Sequence, residues 1–130
     1  ARWAVVLAQL VAERARAFAT GHEELRGQVS KVGSVAALRD RSLLAQLAQL
    51  GVKAVGMKAT IVAVSVTRRD ATSVELAVAD ELSSYRIVRA TSGQEVEVRP
   101  ARTAKNWRVT LESIGGRWLL VDSVESSKQP

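Results

Sequence analysis

A chain of 130 residues with 47% hydrophobic content is long enough for a single domain with its own core, and too apolar to be disordered. It has no cysteine and one histidine, His22, which removes disulfides, thiol chemistry and cysteine-ligated zinc and leaves a histidine-based metal site or triad dependent on His22 alone. The net charge is +6, with fourteen Arg and five Lys, yet the basic residues are scattered with no run longer than Arg68-Arg69, and one Tyr and one Phe supply little for base stacking, so nucleic acid is not an expected partner.

The first predicted element runs from Trp3 to Thr20. Trp3, Val6, Leu7, Leu10, Val11, Ala15 and Phe18 recur at spacings of three and four, the stripe of an amphipathic helix. Gly21 is placed to stop it. The stretch HEELRGQV, opening at His22, predicts a short second helix, weakened by Gly27. Ser34 is a plausible N-cap for a further helix, VAALRDRSLLAQLAQL, closed by Gly51. Its apolar line is Ala36, Leu43, Leu44, Leu47 and Leu50, and Asp40 falls on that line as its one discordant residue. No run of about 18 apolar residues occurs that could span a bilayer. The chain opens without an initiating Met or a signal peptide, so Ala1 is expected to lie inside a longer gene product, with an upstream anchor a natural possibility.

After Gly51 the period shortens from near four to two. Met57–Arg68 alternates Val62, Val64 and Val66 with Met57, Ile61 and Ala63, which predicts a strand covered on both faces. Arg69–Thr72 is a polar turn. Ser73–Val88 then predicts one long strand that stumbles at Asp80 to Ser84, as a bulge or bend would. Thr91–Gln94 is a turn, and Glu95–Arg99 a short polar edge strand ended by Pro100. The sequence closes on WRVTLESIGGRWLLVDSV, two strands joined at Gly115-Gly116, with Trp107 and Trp118 expected close to that turn. Residues 126–130 are expected to form a disordered tail behind a single domain of residues 1–125. Helices followed by strands imply an α+β domain: N-terminal helices packed on a curved, mostly antiparallel sheet of four to five strands, a cone.

That order, with ARAFATG (Ala15–Gly21), LRDRSLLAQLAQLGVKAVGM (Leu38–Met57) and NWRVTLESIGGRWLLVDSV (Asn106–Val124), resembles the nuclear-transport-factor-2-like, or cystatin-like, superfamily. Within it the chain resembles small extracytoplasmic domains of actinobacterial membrane or secreted proteins of unassigned function. The resemblance implies a place outside the cytoplasmic membrane, and a homodimer through the sheet face or another protein partner. Enzymes of the superfamily hold a carboxylate base in the cone, and an epoxide-hydrolase branch uses an Asp-Arg-Asp network. The steroid isomerase-like members take an oxyanion-hole Tyr from the first helix, which here offers none, because Tyr85 is the only Tyr.

The candidate residues follow from this frame. Asp40, flanked by apolar residues, is the one candidate for a general base. The competing interpretation pairs it with Arg39, Arg41 or an Arg of the sheet as a structural ion pair. Asp80, Tyr85 and Arg86 surround the suspected bulge and could point into the cone. Trp107 and Trp118 could line an apolar pocket, or be core. Gly51 and Gly56 lack the spacing and following helix of a phosphate loop. No cofactor and no metal are expected. Three functions remain open: a non-catalytic interaction or structural domain; a cone that binds a small apolar ligand or retains a degenerate isomerase- or cyclase-like activity; and attachment to an anionic polymer or lipid surface through the arginine excess.

Overall fold

The computed structural model describes residues 2–21, 28–127 and 129–130. Two helices, α1 (Arg2–Thr20) and α2 (Val35–Leu50), precede seven strands: β1 (Val52–Val55), β2 (Ala59–Arg69), β3 (Ser73–Leu82), β4 (Tyr85–Arg89), β5 (Glu95–Arg99), β6 (Arg102–Ile114) and β7 (Arg117–Glu125). The expected α+β order is present, with every strand pair antiparallel. The strands divide into a four-stranded sheet, β2-β3-β6-β7, and a three-stranded sheet, β1-β4-β5. The short helix predicted from His22 falls largely on residues 22–27, outside the described residues.

Both helix ends of α2 form as its sequence dictates. The Ser34 hydroxyl accepts from the Ala37 N–H at 3.1 Å, satisfying one of the orphan donors of the first turn. At the other end Gly51 takes φ 69°, and its N–H returns to the carbonyls of Ala48 and Leu47. α1 stops in the same way, with Gly21 at φ 72° and its N–H on the Ala17 carbonyl at 2.8 Å.

The large sheet turns Val74, Leu76 and Val78 of β3 inward, opposite Leu111, Val109 and Trp107 of β6. Trp3, Leu7 and Leu10 of α1 close this core from above. Leu76 and Leu111 are fully buried, each worth about 2 kcal/mol relative to an exposed side chain. The far end of α1 belongs to a second core, in which Phe18 packs with Leu44 of α2, Ala54 of β1 and Ile87 of β4. One helix thus serves both sheets.

Three local readings change. β2 is covered on one face only: a bulge after Ile61 brings Ile61 and Val64 both onto the core and leaves Val62 and Val66 about half exposed. Ser73–Val88 is two strands in different sheets, because the chain breaks at Ser83-Ser84. There the Ser83 hydroxyl accepts from the Lys58 N–H and donates to the Gly56 carbonyl, while the Ser83 N–H donates to the Lys58 carbonyl. Trp107 lies far from the Gly115-Gly116 turn, paired with Glu125, whereas Trp118 sits beside the turn opposite Ser113. The outer edge of β7 is occupied by residues 29–31, which bond to both the N–H and the carbonyl of Leu120. No strand covers the outer edge of β2 among the described residues.

Candidate functional site

Between α1, α2 and the inner face of the large sheet lies a cavity of about 290 Å³. Its walls are mainly apolar, with Leu7, Leu10, Val78, Trp107, Val109 and Leu120 among them. Five charged side chains also reach it: Arg14, Arg39, Asp40, Asp80 and Arg102.

Helical spacing explains the first pair. On α1, Arg14 stands between Leu10 and Phe18 at intervals of four, and on α2, Asp40 stands between Ala36 and Leu44 at the same interval. Each charge is therefore the middle of a core-facing row, and the two rows face one another. Arg14 Nε donates to Asp40 Oδ2 at 2.8 Å and Nη2 to Oδ1 at 3.0 Å, a bidentate pair. Asp40 is 6% exposed, and a charge buried this far is costly unless it is paired and hydrogen-bonded as here. The guanidinium also lies 4.7 Å from the Phe18 ring centroid. The partner is an Arg of α1, and neither a neighbour on α2 nor an Arg of the sheet.

Strand alternation explains the second. Val74, Leu76, Val78 and Asp80 point the same way along β3, so the carboxylate follows three core residues into the cavity. Trp107 Nε1 donates to Asp80 Oδ1 at 2.8 Å, and Arg102 Nη2 donates to the same oxygen at 3.0 Å. Arg102 Nη1 adds a bond to the Asp80 carbonyl at 3.1 Å. A register shift between β3 and β6 after Asp80 sets Arg102 opposite Leu82. At the cavity's edge, Arg39 Nη1 donates to the Ser123 carbonyl at 2.9 Å and Nη2 lies 3.6 Å from Asp122.

Of the residues singled out in the sequence, Asp40, Asp80 and Trp107 thus meet at one cavity. Trp118 is elsewhere, packed edge-on against Trp3 with ring centroids 4.9 Å apart. Tyr85 packs against the second core, and Arg86 is exposed on β4. His22 lies outside the described residues. Arg14 and Arg102 were not singled out. The place of Arg14 in the Leu10–Phe18 row was the available signal, whereas nothing local marks Arg102. Among the described residues no cluster of His, Cys, Asp or Glu could hold a metal ion. Arg14 takes both oxygens of Asp40, whereas at Asp80 the two donors, Trp107 and Arg102, both fall on Oδ1.

Two helices packed against two antiparallel sheets, with a cavity between the helices and the larger sheet, form an open α+β fold. The intermembrane-space region of the chloroplast protein ARC6 has a similar structure, with TM-score 0.63 and 17% identity over 96% of this chain and 97% of that one. A calcium/calmodulin-dependent protein kinase II association-type domain from Xanthomonas campestris matches with TM-score 0.47 and 16% identity over 94% of this chain and 85% of that one. At 17% identity the likeness to the ARC6 region is one of fold alone. No protein-family model and no curated protein sequence matches the chain.

Proposed function

We propose that the chain is a non-catalytic interaction domain, the extracytoplasmic part of a membrane-anchored or secreted bacterial protein, which pairs with a protein partner or a second copy of itself. The observation that carries this reading is the bidentate closure of Asp40 by Arg14, which occupies both oxygens of the more buried of the two cavity carboxylates. The open edge of β2, with Val62 and Val66 exposed over an 11-residue strand that carries no charge before Arg68, supports contact with another protein. The fold neighbour from an intermembrane space supports the extracytoplasmic placement. Light scattering across a concentration series tests self-association. The mass is expected to rise toward two chains and to return to one in Val66→Lys. A mass of one chain throughout, with no change in the variant, overturns pairing through this edge.

The cavity favours a second reading, the binding of a small neutral apolar molecule. Its volume lies near the lower end of the roughly 300–1,000 Å³ usual for ligand sites. Arg14, Arg102 and Arg39 each already face a carboxylate, so no unpaired charge calls for an ionic ligand. N-phenyl-1-naphthylamine is expected to bind one to one with enhanced fluorescence, and Ala36→Leu, which grows into the cavity, is expected to weaken it at least tenfold. Absence of saturable binding overturns this reading.

A further inference from the structure

The end of the molecule where α1 begins carries a group of side chains outside the cavity and beyond the exposed Val62 and Val66 of β2. The Arg2 guanidinium lies 4.8 Å from the Trp3 ring centroid and 6.0 Å from that of Trp118. Arg69, at the end of β2, lies 5.6 Å from the Trp3 centroid. Arg117 opens β7 next to Trp118, its Nη2 donating to the Gln28 carbonyl at 3.0 Å. The β2–β3 and β6–β7 turns meet here, joined by the Ser113 N–H on the Thr72 carbonyl at 2.8 Å. Exposed apolar residues flank the group: Val5 on the first turn of α1, and Ile114 opposite Arg117 at the hairpin tip.

Charge at this end is net positive, three arginines against the single carboxylate of Asp70. Among the described residues Arg2, Arg69 and Arg117 form no ion pair. The nearby Asp70 spends its carboxylate on its own turn, accepting from Thr72 and Ser73. Glu112 is paired with Lys31 at 2.9 Å. Two arginines held against aromatic rings and a third held on a backbone carbonyl, with exposed apolar side chains at the same end, match the composition of surfaces that lie on anionic bilayers, where phosphates meet the guanidiniums and apolar side chains enter the acyl boundary. A nucleic acid would need a free aromatic face, but Trp3 is 8% exposed, packed against Trp118 and approached by two guanidiniums.

We infer that this end of the domain, built on Arg2, Arg69, Arg117, Val5 and Ile114, docks on an anionic lipid surface. The inference does not depend on what the cavity or the β2 edge binds. Co-sedimentation of the chain with phosphatidylcholine vesicles containing phosphatidylglycerol tests it. Binding is expected to the anionic vesicles, not to pure phosphatidylcholine, and to fall as salt rises. Arg69→Gln/Arg117→Gln should lower partitioning about twenty-five-fold, at about fivefold per arginine. Arg86→Gln/Arg89→Gln, an equal loss of charge on the small sheet, should change it less than about twofold, since attraction at a surface fades within a Debye length. Should the first pair disturb folding, Val5→Asp and Ile114→Asp replace exposed side chains and should also release the chain. Equal loss in both arginine pairs, binding to neutral vesicles as strong as to anionic ones, or no binding at low salt each overturns the inference.

Discussion

At the scale of single residues, the Arg14–Asp40 pair decides how α1 and α2 meet. Arg14→Ala strands a buried carboxylate, and urea unfolding should show a loss of about 3 kcal/mol, the lower end for breaking a buried pair because Arg14 is one-third exposed. Arg14→Lys should recover only part of it, since an ammonium cannot make the bidentate contact. Replacing both partners, as Arg14→Met/Asp40→Leu, should come back close to the parent because no unpaired charge remains. Asp70 makes a different prediction. The Thr72 backbone N–H, then the Ser73 N–H and hydroxyl, hold its carboxyl below the ordinary value of 3.8. The folded value lies under the unfolded one, so the stability Asp70 adds is complete above about the ordinary carboxylate value and is lost as pH falls through the folded one. An NMR titration of Asp70 should show the depressed midpoint, and Asp70→Asn should remove that part of the acid-side decline in stability.

At the scale of elements, caps explain why α2 could be placed from the sequence to the residue. Gly51→Ala should cost about 1 kcal/mol through its left-handed backbone alone, since a Cβ there meets nothing within 4 Å. Ser34→Ala should cost about 1 kcal/mol by orphaning the Ala37 N–H, and thermal unfolding measures both. The Gly115-Gly116 hairpin was equally legible, because both glycines take positive φ. Other features were not, for physical reasons. β1 is four residues long, too short for alternation to register. β3 and β4 run together in the sequence because Ser83-Ser84 is a weak break signal. The break is enforced by hydrogen bonds to residues 56–58, distant in sequence. The two ion pairs of the cavity join residues 26 and 22 apart, and local pattern can show that Asp40 is out of place without showing which arginine answers it.

At the scale of the whole molecule, both helices couple the two sheets, and α1 enters both cores. Leu7 and Leu10 belong to one and Phe18 to the other. Neither sheet can lose the helix without the other, so the domain should unfold in a single transition. All three Trp residues lie in or against the larger core, which allows a direct check. Tryptophan fluorescence reports that core, and amide exchange at Ala54 and Ile87 reports the smaller one. The two should give the same unfolding free energy, and Phe18→Ala should lower both together by about 3–4 kcal/mol.

The Ser83 hydroxyl bears on how such a domain could be retuned. It ties residues 56–58 to the point where the chain leaves one sheet for the other, and Met57, Ala59 and Leu82, immediately beside that tie, belong to the cavity wall. The width of the cavity is therefore set in part by a side chain that does not line it. A lineage could widen or narrow the chamber by changing this one fastening while every residue of the wall stays the same. A catalogue of lining residues would record two such relatives as identical.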